Sequence, residues 1–127
     1  MKENRPEIFF NNQVPINKDV AYTRAITYWE KADAANAEDW AVKAMRLGSR
    51  NAAPKLLAEI ALATQSKSTA ITLASYYWEM TNIKNALYWA KLAKEYGSNK
   101  LADKLISEIK AHIIAINIHD EVGRLSK

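Results

Sequence analysis

The clearest apolar pattern lies toward the C-terminal end of the chain. Leu101, Leu105, Ile109 and Ile113 recur every four residues and so share one helix face. Ile106, Ile114, Ile116 and Ile118 broaden it, and the Ile-rich end is placed to seal the face left open before it. Asn99 is positioned to open this helix, which runs to Ile118 or beyond with Gly123 as its latest stop. Upstream, small residues carry the pattern: Ala21, Ala25, Ala37 and Ala44 form a packing stripe.

Capping residues predict five further helices. Asp19 caps a helix over Val20 to Ala34. Asn36 caps a second, reaching Leu47 and stopped by Gly48. Asn51 caps a third that ends near Ala63, with Pro54 tolerated because it lies in the first turn. Ser68 starts a fourth, ending near Met80. Asn82 or Lys84 starts a fifth, stopped by Gly97. Before these helices, Pro6 and Pro15 make residues 1–17 extended, and Ile8, Phe9, Phe10, Val14 and Ile16 pack that segment onto them.

A duplication organises these elements. Tyr28-Trp29-Glu30 recurs as Tyr77-Trp78-Glu79, at an offset of 49 residues. The same offset carries Trp40-Ala41 onto Trp89-Ala90 and Gly48-Ser49 onto Gly97-Ser98. Without gaps, 18 of the 42 positions from Ala21 to Leu62 match their partners from Ala70 to Ala111. Chance would give about two to four, even with the alanine bias. The expected organisation is one domain over 1–127. It comprises an N-terminal extension over 1–17, copy one over 20–62, copy two over 69–111 and a C-terminal cap over 112–127.

Composition agrees with an all-α fold. The 127 residues include 21 alanines but only 3 glycines and 3 prolines, which favours helix and leaves too few turn residues for a β-sandwich. Hydrophobic residues make up 49%, enough for a core at this length. No cysteine is present, so disulfides, thiolate catalysis and cysteine-ligated zinc are excluded. No apolar run approaches the roughly 18 residues of a membrane span, and residues 1–12 lack a signal-peptide pattern. The expectation is a soluble, cytoplasmic chain. Its net charge of +4 permits an acidic partner without demanding one.

Ala37-x2-Trp40-x3-Ala44-x3-Gly48 and Ala86-x2-Trp89-x3-Ala93-x3-Gly97 resemble the second helix of a Sel-one-like repeat, a relative of the tetratricopeptide repeat. Ala70, Ala74, Tyr77, Ala86 and Ala93 also fall where the tetratricopeptide motif places small and aromatic packing residues, as do Ala21, Ala25, Tyr28, Ala37 and Ala44. The period of 49 exceeds the usual 34 by about one helix, giving two three-helix copies and six to seven helices in all. The resemblance implies a short right-handed α-α superhelix-like array with N- and C-terminal caps. It also implies a non-catalytic module that binds another protein, with no cofactor.

In that family the first helices line the binding face. The corresponding residues are Tyr22, Ile26, Trp29 and Glu30 in copy one, and Ile71, Ser75, Trp78 and Glu79 in copy two. Trp beside Glu suits a partner's apolar side chain and a cation, yet a pair needed in both copies also reads as framework. Positions that differ between copies are the better specificity candidates. Tyr22 against Ile71, Arg24 against Leu73 and Thr27 against Tyr76 are such pairs. Trp40 and Trp89, beside the alanine stripe, read as core. A basic stretch runs through Lys43, Arg46, Arg50 and Lys55. It reads as a solvated face or a site for an acidic protein, and without aromatic–basic interleaving nucleic acid is unlikely.

Catalytic signals are thin. The glycines are isolated, so no phosphate loop exists. His112 and His119 share a face, but zinc would want closer spacing and more ligands, so no metal is expected. Two alternatives to a general binding module stand. One is an immunity protein or antitoxin that covers a bacterial toxin. The other is a small helical enzyme using Glu30, Glu79 or the histidines.

Overall fold

The first five helices each begin where a side-chain oxygen takes over an orphan backbone N–H. In the computed structural model, which describes residues 16–98 and 100–125 and the side chains only up to residue 118, Asn17 accepts from the Val20 N–H at 2.9 Å and starts α1 (Lys18–Glu30). Asp33 accepts from the Asn36 N–H at 3.2 Å and starts α2 (Ala34–Arg46). The third helix, α3 (Ala52–Thr64), follows Ser49, whose hydroxyl accepts from the Ala53 N–H at 3.1 Å. Ser66 and Asn82 cap α4 (Lys67–Glu79) and α5 (Ile83–Glu95), and α6 spans Lys100–Leu125. The protein is all-α, with six helices and no strand among the described residues.

The sequence expectations shift at several ends. Asn17 rather than Asp19 caps α1, Asp33 rather than Asn36 caps α2, and Ser66 rather than Ser68 caps α4. In each case a good capping residue two or three positions upstream reaches the first free N–H groups sooner. Helix α1 stops at Glu30, four residues short of Ala34. Helix α6 passes through Gly123 to Leu125. The Asn99 cap and the packing of residues 1–15 lie outside the described residues.

The duplication is reproduced in three dimensions. Helices α1 and α4, like α2 and α5, have 13 residues each and start 49 positions apart. Their stops match as well. Gly48 and Gly97 sit at φ +115° and +113°. The Ser49 N–H donates to the Ala44 carbonyl at 2.9 Å and the Gly48 N–H to Met45 at 3.1 Å, with the same pair at Ser98 and Gly97. This is the Schellman arrangement, and glycine suits its left-handed residue because no Cβ meets the backbone. Helices α1 and α4 stop in the same way without glycine. Ala32 and Thr81 take φ 62° and 57°, and Asp33 and Asn82 donate back to Tyr28 and Tyr77.

The described residues form two compact units, divided between Leu56 and Leu57 inside α3. In the first, a three-residue link folds α2 back along α1, and Ala21, Ala25, Ala37, Ala41 and Ala44 are fully buried. Alanines here let two helices approach closely. In the second, Ala70, Ala74, Ala86, Ala90 and Ala93 do the same for α4 and α5. Helix α6 packs against α5 and α4. Its buried row is Ala102, Leu105 and Ile109, matching the buried Ala53, Leu56 and Ile60 one repeat earlier. Leu101, expected on that row, is 63% exposed because the row begins one residue later. Ile114, Ile116 and Ile118 are exposed.

Candidate partner-binding surface

The first-helix faces are present in both copies. On α1, Tyr22, Ile26 and Trp29 are half-buried and Glu30 is exposed. On α4, Ser75, Tyr76 and Trp78 are half-buried and Glu79 is exposed. Trp78 meets His112 of α6 edge to face at 5.4 Å, so part of its surface serves packing within its own unit. Tyr76 and Tyr77 meet similarly at 5.4 Å. Burial, with neighbouring Tyr76 adding to it, pushes the Tyr77 phenol above its ordinary value. These contacts give the repeated aromatic pair a framework component in copy two.

A different constellation forms on copy one. Trp40 on α2 is half-buried rather than core. The Arg24 guanidinium, from α1, lies over its ring at 4.7 Å from the centroid, and the Lys43 ammonium lies over it at 5.3 Å. Arg24 and Lys43 are both exposed. The ring quadrupole attracts each cation, by about 0.5–1 kcal/mol at an exposed site. Trp40 keeps part of its surface in water, where its counterpart Trp89 is buried. Among the described residues neither cation meets a carboxylate at ion-pair distance.

The second copy is the internal control. Trp89 is 5% exposed and meets Tyr88 edge to face at 5.2 Å. The residue matching Arg24 is Leu73, fully buried, and the residue matching Lys43 is Leu92, half-buried. The same helix pair, with the same caps and stops, therefore accepts leucine at both positions.

The structure thus assembles Arg24 and Lys43, two residues that the sequence placed in separate groups, around Trp40, which the sequence assigned to the core. Arg46, Arg50 and Lys55, the rest of the basic stretch, are exposed along α2, the following loop and α3. Leu47, 45% exposed, follows Lys43 by one helical turn and supplies apolar surface on the same side of α2. The signal for this site was in the alignment of the copies: Lys43 against Leu92 differs in kind just as Arg24 against Leu73 does.

Among the described residues no three metal-ligating side chains come together. The acidic group with a clear perturbation is Asp33. Hydrogen bonds from the side chain and backbone of Asn36 hold its carboxyl below the ordinary 3.8. It serves as a helix cap. No helix among the described residues is long and apolar enough to cross a membrane. No family model, curated protein or solved structure matches the chain.

Proposed function

We propose that this protein is a non-catalytic helical-repeat module, of tetratricopeptide or Sel-one-like type, that acts by binding another protein. The observation that carries this reading is the divergence of two otherwise matched copies at one place. Copy one displays Arg24, half-buried Trp40 and Lys43, where copy two has Leu73, buried Trp89 and Leu92. Trp and Arg are the residue types most concentrated at the energetic centres of protein interfaces. The two cations fit carboxylates on the partner, and Leu47 beside them fits an apolar contact. Stacking of a nucleic-acid base fits less well, since cations already lie over the ring and one would have to move.

The test uses copy two's own residues. The full chain and its Arg24→Leu/Lys43→Leu variant are immobilised and exposed to lysate of the native source. A stoichiometric partner held by the wild type and lost by the variant, with both melting alike, is the expected result. No retained protein overturns the binding reading. A partner held equally by both places the contact elsewhere. If the retained protein is a toxin, the module acts as an immunity protein.

A further inference from the structure

A second feature separates the copies, independent of the Trp40 surface. A cleft of about 440 Å³ lies where the first turns of α4 and α6 meet the stop of α5. Lys67, Ser68, Ile71 and Thr72 form one side, and Gly97, Ser98, Lys100 and Leu101 the other. This volume lies in the ordinary range for small-ligand sites, about 300–1,000 Å³. Its lining is mainly apolar and includes Ile71 and Leu101, and the exposed Lys67 and Lys100 line it as well.

The Lys67 stem passes close to Gly97. A Cβ at Gly97 would lie 3.9 Å from the Lys67 Cδ, so the lysine stem runs across the bare glycine. Lys18 crosses Gly48 in the same way at 3.9 Å. Thr72 and Ser98 also match Thr23 and Ser49, but the other four lining positions differ. Going from copy one to copy two, Asp19 becomes Ser68, Tyr22 becomes Ile71, Asn51 becomes Lys100 and Ala52 becomes Leu101. The first change removes a negative charge and the third adds a positive one. The second replaces a phenol ring by a smaller aliphatic chain. Copy one's set of Lys18, Asp19 and Asn51 is neutral overall, whereas Lys67, Ser68 and Lys100 carry two positive charges. The first turns of α4 and α6 bring the positive ends of two helix dipoles to the cleft, against the negative end of α5 at its stop.

We infer that this cleft binds a small amphipathic anion, a carboxylate carried on a short apolar chain. The carboxylate sits between Lys67 and Lys100, and the chain lies against Ile71 and Leu101. Charge selects the head and the apolar lining selects the tail, so neither acetate nor an alkylammonium fits both.

The experiment titrates sodium octanoate into the full-length protein at neutral pH by calorimetry, with octylammonium and acetate as probes of tail and head alone. Octanoate is expected to bind, acetate at least tenfold more weakly, and octylammonium not at all. The variant Ser68→Asp/Ile71→Tyr/Lys100→Asn, which carries copy one's residues, is expected to weaken octanoate binding at least tenfold with its helical circular dichroism retained. Should that variant fail to fold, Lys100→Asn alone decides, with an expected loss of at least threefold. Absence of binding to the wild type, equal binding of octylammonium, or unchanged affinity in the variant that folds overturns the inference.

Discussion

Gly48 and Ala32 occupy the same kind of helix stop, so exchanging their residue types should move stability in opposite directions. In Gly48→Ala the new Cβ would meet only the Lys18 Cδ, at 3.9 Å, which is ordinary van der Waals contact. Steric crowding by the surroundings therefore contributes nothing, and the cost is the backbone itself. At φ +115° a non-glycine residue carries strain of about 1–3 kcal/mol. Alanine also narrows the unfolded ensemble, which returns about 0.4–1 kcal/mol. The expected net loss is about 1–2 kcal/mol. Ala32→Gly works the other way. At φ 62° the left-handed conformation costs an L-residue about 1–2 kcal/mol, and glycine removes that at the expense of a looser unfolded chain. A gain of roughly 0.5 kcal/mol is expected. Thr81→Gly should gain more, since a β-branched residue tolerates φ 57° least. Urea unfolding followed at 222 nm measures all three. A neutral or stabilising Gly48→Ala, or a destabilising Thr81→Gly, would refute the assignment of these stops.

Further outcomes follow from the contrast between copies. Trp89→Ala, at a buried site, should cost about 3–5 kcal/mol in the same assay, and Trp40→Ala distinctly less because its ring is already half in water. Asp33→Asn gives copy one the cap that copy two has at Asn82. The Asp33 carboxyl is held below its ordinary value when folded, so its contribution is whole above pH 3.8 and is lost as the pH falls through the folded value. Acid titration of stability should accordingly show a shallower fall below pH 3.8 in Asp33→Asn than in the wild type. The Lys94–Asp103 ion pair, at 2.7 Å with both side chains about half exposed, should be nearly silent: Asp103→Asn is expected to change stability by less than about 1 kcal/mol.

Helix number and the duplication were legible because they rest on local signals. Scarce breakers, caps before alanine-rich stretches and two glycines 49 residues apart need no tertiary information. The stops at Ala32 and Thr81 were not legible, since neither residue type favours the left-handed region and the surrounding pair of helices imposes it. The choice between Asp33 and Asn36 as cap was ambiguous because both side chains can take that role. The buried row of α6 was legible at Leu105 and Ile109 but not at its start, where the apolar series through Leu101 outweighed Ala102, a small residue that buries completely. Trp40 and Trp89 sit in the same local pattern, and what separates them is partly 16 residues upstream, at Arg24 and Leu73. Only the fold brings that difference to the ring.

If one framework is built twice, with leucine serving in copy two where copy one has Arg24 and Lys43, then those cations are dispensable to its stability. Equilibrium unfolding of Arg24→Leu/Lys43→Leu tests this most directly. Two exposed cation–π contacts of about 0.5–1 kcal/mol each are lost, and two leucines bury apolar surface against the same ring. The variant's stability should lie within about 1 kcal/mol of the wild type. A loss above about 2 kcal/mol would show that Arg24 and Lys43 belong to the framework and would contradict this expectation.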